Sequence, residues 1–193
     1  MKTITFILTL FLFTGQLSFA QTYSSIISDK EIYSFLNSLI KSDKDRISKQ
    51  LFRKISVNPK ISKHWDSTNF FRPKTTEDFQ KILTNDVDYI FWGKEIDSLL
   101  NENDRKFMLE QYKKFKDTVW HQPFTGTRLE SKKQKKTDRY YFSIPIFSVD
   151  KQVVIIYFSN YCGDLCGFGG YYIYKKTVTN KWKFFTARGH WMS

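Results

Sequence analysis

The chain has 193 residues, with 31 Lys and Arg against 19 Asp and Glu and a formal charge of +12. That length suits one domain with a substantial core, to which 19 Phe, 11 Tyr and 5 Trp bring large apolar areas. No segment after residue 20 is apolar enough to form a membrane-spanning helix. An excess of this size favours anionic surfaces such as nucleic acid, anionic lipid or acidic polysaccharide, but the lysines are scattered along the chain rather than gathered into one arm, so solubility accounts for the charge better.

At the N-terminus Lys2 precedes an apolar run from Ile4 to Phe13, then Ser18-Phe19-Ala20. This order reads as a secretory signal peptide over residues 1–20, cut between Ala20 and Gln21. The run is shorter than the roughly 20 apolar residues a membrane anchor needs. Residues 21–193 are then expected to form one exported domain, periplasmic or extracellular, with no transmembrane segment after cleavage.

Ser28 and Glu31 are spaced as a capping box, and Ile32, Phe35, Leu36, Leu39 and Ile40 follow at helical spacing. Ser42 to Asp45 looks like a second helix start, leading into Ile47, Leu51, Phe52 and Ile55 and stopped by Asn58-Pro59. Residues 60–74 carry no clean period. Thr75 or Thr76 opens a third helix with Phe79, Ile82 and Leu83. The run Tyr89 to Gly93 is too short to classify. A further helix is expected from about Asp104 to Lys116, with Met108, Tyr112, Phe115 and Val119 as its stripe and Lys113, Lys114 and Lys116 outward.

Past His121-Gln122-Pro123 the pattern changes. Ser131 to Asp138 reads as an exposed, lysine-heavy loop. Four strands are predicted over Arg139–Phe147, Gln152–Asn160, Tyr171–Lys176 and Trp182–Arg188, with turns at Val149-Asp150-Lys151 and Thr179-Asn180-Lys181. Pro145 places the first of these at an edge or a bulge. Short connections require antiparallel neighbours. The fold class is therefore α+β, with N-terminal helices packed on a C-terminal antiparallel meander of about four strands.

Both cysteines and four of the eight glycines fall within Asn160–Gly170, read as a sharply turning connection between two strands. Three chemistries suit Cys162 and Cys166. An oxidising compartment favours a structural disulfide. Two thiolates also suit a soft metal such as copper(I), although His190 and Met192 could join them only if the C-terminus folds back. Thiol–disulfide exchange is the third, against which stand the three-residue spacer and Asp164, which would raise a thiolate's pKa. The glycines lack the Lys and Ser/Thr of a phosphate loop.

The runs Ser143 to Asp150, Tyr161-Cys162-Gly163-Asp164-Leu165-Cys166-Gly167-Phe168-Gly169, Tyr174 to Lys176 and Lys181 to Lys183 resemble a family of exported proteins of Gram-negative bacteria marked by a CGxLCGxG segment. The resemblance covers about the last third of the chain, with a fainter echo at Asp104–Gln111. It implies a bacterial envelope location and carries over no catalytic residue.

His64, His121 and His190 share no ligand spacing, and no Gly-x-Ser-x-Gly elbow occurs. The acidic pairs Asp86/Asp88 and Glu95/Asp97 fit solvated turns or helix faces. Trp65, Trp92, Trp120, Trp182 and Trp191 could stack on sugars, but core packing accounts for them more simply. Basic and aromatic residues interleave over Lys175–Phe185, as strand alternation alone would produce. These features predict a non-enzymatic binding or interaction domain, with no cofactor and no nucleic-acid ligand. Its expected partner is a protein or an anionic envelope ligand. The alternative is a thiol-dependent redox or soft-metal-binding protein using Cys162 and Cys166.

Overall fold

The computed structural model describes residues 22–42, 55–57, 94–116, 119–130, 139–163 and 166–193. The signal segment with its Ala20/Gln21 junction, most of the second helix, the third helix, the Tyr89–Gly93 run and the 131–138 loop lie outside the described residues.

Helix α1 spans Asp29–Ser42. Its start is the capping box expected: the Ser28 hydroxyl accepts from the Glu31 amide, and the Glu31 carboxylate accepts from the Ser28 amide, both at 3.3 Å. Ile32, Phe35, Leu36, Leu39 and Ile40 are all buried along one face. Burial of each such side chain is worth about 1.5–3 kcal/mol, which is what holds a helix of this length on the sheet.

Strand β1, Ile55–Val57, follows, then a short helix α2, Lys94–Asp97, and helix α3, Glu102–Lys113. Ile55 therefore belongs to a strand, not to the helical stripe predicted for it. Ile-Ser-Val is locally good strand sequence, and its neighbours β2 (Thr127–Leu129) and β3 (Arg139–Phe142) both run parallel to it. Helix α3 begins ahead of the predicted Asp104, because Asn101 caps it: its side chain accepts from the Asp104 amide at 3.0 Å while Asp104 accepts from the Asn101 amide at 3.1 Å. The helix also ends at Lys113, so Val119 lies beyond it and is exposed. Gln111 takes the buried position in the stripe instead.

Strands β4 (Ile146–Phe147), β5 (Val153–Gly163), β6 (Cys166–Lys176) and β7 (Trp182–Met192) complete a sheet ordered β2-β1-β3-β5-β6-β7, with β4 also paired to β5. All pairs from β3 to β7 are antiparallel. The fold is α+β, as the sequence pattern predicts, with a parallel addition at one edge that the pattern did not carry. Pro145 sits in the break between β3 and β4. There the Ser143 hydroxyl accepts from the Tyr157 amide at 3.0 Å, and the Ser143 amide donates to the Tyr157 carbonyl at 2.9 Å.

Alternation along β5 divides two cores. Val154, Ile156 and Phe158 join α1, Trp120 and Phe124 on one face; Val153, Ile155 and Tyr157 join Ile96, Leu100 and Met108 of the α2–α3 region on the other. Helices thus cover both faces of the central strands. Among the described residues no helix is long and apolar enough to cross a membrane.

Candidate binding site at the cysteine end of the sheet

The glycine segment is strand rather than loop. Gly167, Gly169 and Gly170 lie inside β6, and the connection from β5 is confined to the few residues between Gly163 and Cys166, which pair with each other. A register shift between Tyr161 and Gly163 sets a bulge at Cys162. Cys162 and Cys166 are joined as a disulfide, their α-carbons 5.1 Å apart. Cys162 is half-buried and Cys166 exposed.

The glycines serve close packing, not turning. Strand β7 returns beside β6, and Trp191 of β7 pairs in register with Gly169. A β-carbon at Gly169 would fall 2.7 Å from Trp191 Nε1 and 2.7 Å from Ser159 Cβ; one at Gly167 would fall 3.1 Å from the indole and 2.9 Å from the Asn160 carbonyl oxygen. The indole therefore lies against a strip of bare backbone. Glycine inside a strand commonly marks such a close approach.

Two tyrosines continue this surface. Tyr161 of β5, opposite Gly167 in register, has its ring 5.4 Å from that of Trp191. Tyr141 of β3 meets Tyr161 edge-on at 5.5 Å. Trp191 Nε1 donates to the Tyr157 hydroxyl at 3.3 Å. Tyr161 is 46% exposed, and Tyr141 and Trp191 are half-buried. Partial burial, with the neighbouring Tyr157 and Tyr141, raises the Tyr161 phenol above its ordinary value. The chemistry of the row is that of stacking surfaces edged by phenol hydroxyls.

The C-terminus does fold back toward the cysteines: Ser193 and Gly167 exchange backbone hydrogen bonds of 3.0 and 3.3 Å. Even so, among the described residues no three His, Cys, Asp or Glu side chains gather as metal ligands. His121 and His190 are exposed. Glu95 and Asp97 are ion-paired with Arg188 and Arg105 at 2.7 and 2.6 Å. Trp120 is core, as expected, whereas Trp191 is half-buried in the aromatic row; its seat on Gly169 depends on pairing across β6 and β7, which no local pattern carries. His64, Trp65, Trp92, Asp86, Asp88 and Asp164 lie outside the described residues.

No protein-family model, no curated protein and no solved structure matches this chain.

Proposed function

We propose that this chain is an exported protein of the bacterial envelope, periplasmic or extracellular, and works as a non-enzymatic binding domain through the Tyr141–Tyr161–Trp191 row. The support for export is the Lys2–Ala20 segment. The observation that carries the binding reading is the seating of Trp191 on Gly167 and Gly169 beside an exposed Tyr161. Strand glycines cost stability and so does an exposed ring; accepting both in one place suits a surface reserved for a ligand. A row of rings edged by hydroxyl groups suits a sugar, whose C–H face stacks on an aromatic ring while its hydroxyls meet phenols.

The test titrates the mature protein with soluble envelope glycans, peptidoglycan fragments and lipopolysaccharide core oligosaccharide, following tryptophan fluorescence. Binding at least tenfold weaker in Tyr161→Ala and Trp191→Ala is the expected result. Absence of binding, or binding that both variants retain, overturns the reading.

One observation favours the thiol-dependent alternative, namely the exposure of Cys166 at the hairpin tip. Thiol titration of the native protein decides it. A bond that resists mild reductant removes the alternative; free thiols that take up copper or zinc install it.

A further inference from the structure

The opposite end of the same strands holds a second concave surface. A cavity of about 310 Å³ opens between the start of α1 and the ends of β4, β6 and β7. Its floor is aromatic. Phe35 and Phe147 are almost fully buried, and the Trp182 ring stands 5.3 Å from Phe35 at 88° and 6.3 Å from Phe147. Lys30, Lys151 and Lys176 line its rim, with Lys176 Nζ 5.0 Å from the centre of the Trp182 ring. A second cavity of about 320 Å³ shares Lys176 and adds Lys175 and Lys183. Five lysines thus line the two cavities against one carboxylate, Glu31.

These charges are not balanced internally. Glu31 is taken by Lys151, with which it forms an ion pair across the cavity. Asp150 lies close enough to act on Lys175. Among the described residues Lys30, Lys176 and Lys183 have no carboxylate partner. Lys175 and Lys183 stand directly opposite each other on β6 and β7, on the face of the sheet away from Lys176 and Trp182.

We infer that the lysine end is a separate anion site whose ligand is a small soluble phosphate ester with a flat apolar body. The phosphate lies between Lys30 and Lys176, which line the same cavity and whose ammonium groups act as point charges toward its oxygens, and the body lies against Trp182. Cavities of this size suit small molecules rather than a flat bilayer surface. The inference is independent of the aromatic row at the other end.

The mature protein is titrated calorimetrically with 2-naphthyl phosphate, with inorganic phosphate and 2-naphthol as partial ligands and with phosphatidylglycerol vesicles in a separate arm. The expected result is tighter binding of 2-naphthyl phosphate than of either part, weakened at least tenfold by Lys176→Gln and by Lys30→Gln. The remote Lys106→Gln on α3 leaves it unchanged. Thermal unfolding checks that the lysine variants remain folded. No heat at millimolar probe, an equal loss in Lys106→Gln, or binding to vesicles without binding to 2-naphthyl phosphate each overturns the inference.

Discussion

The two ends of the long β5–β6–β7 strands are held by different means. At the cysteine end the fastening is covalent and steric: a disulfide closes the hairpin, and an indole rests on backbone left bare by glycine. At the lysine end it is polar. The Ser148 hydroxyl accepts from the Gln152 and Val153 amides at 3.1 and 2.9 Å. Asp104 of α3 accepts from the Val149 amide at 2.9 Å. The Gln111 side chain behaves as a strand would, accepting from the Phe147 amide at 3.0 Å and donating to its carbonyl at 2.6 Å. The difference teaches where each end can vary. Apart from Lys151, which pairs with Glu31, the polar end leaves its lysine ammonium groups outside these hydrogen bonds, whereas at the cysteine end the aromatic row is also part of the packing.

The largest effect is expected from removing the polar fastening. Gln111→Leu keeps the side chain's bulk but orphans the buried amide and carbonyl of Phe147, and should cost about 3 kcal/mol. Urea unfolding measures it, and a loss under about 1 kcal/mol would mean that β4 is held by packing alone. The cysteine end should lose less. The paired change Cys162→Ser with Cys166→Ser opens only a small ring, worth about 2 kcal/mol on the chain-entropy model. If its cost exceeds that of Gln111→Leu, the ranking of the two ends is reversed.

The smallest effect concerns Glu31. Burial alone would raise its carboxyl, but hydrogen bonds from Lys151 and Ser28 outweigh this and hold it below the ordinary 4.5. Stability from this group is present above that value and lost as pH falls through the lower folded one. Both partners are substantially exposed, so Glu31→Gln should cost about 1 kcal/mol or less at neutral pH. The variant and the parent should converge in acid. A difference that persists at pH 2 would assign the effect to something other than the charge.

Legibility in the sequence followed the range of the interactions. The Ser28–Glu31 cap and the Ile32-to-Ile40 stripe are local, and both were readable. So were the turns before β5 and before β7, where Lys151 and Asn180 adopt positive φ of 57° and 59°. Asn101 with Asp104 forms an equally local box, but Asn-x-x-Asp is a less distinctive signature than Ser-x-x-Glu, so the helix was placed to begin too late. Ile55 was drawn into a helical period by its neighbours, since three residues carry too little pattern to oppose it. The glycines of β6 were read as turning because a local pattern cannot show that Trp191, more than twenty residues on, lies against them. The lysine-end cavities escaped for the same reason, being assembled from α1, the turn before β5 and the ends of β6 and β7.

Strand β1 has a consequence for the order of assembly. The antiparallel run from β3 to β7 can zip up between neighbours through short connections, but β1 must slot between β2 and β3, joining Ile55 to Thr127 and Val57 to Tyr140. Closing so wide a loop is slow compared with forming hairpins. Until it closes, the outer edge of β3 stands open as a template for foreign strands. The interval between hairpin formation and the insertion of β1 is when this chain would most need a chaperone.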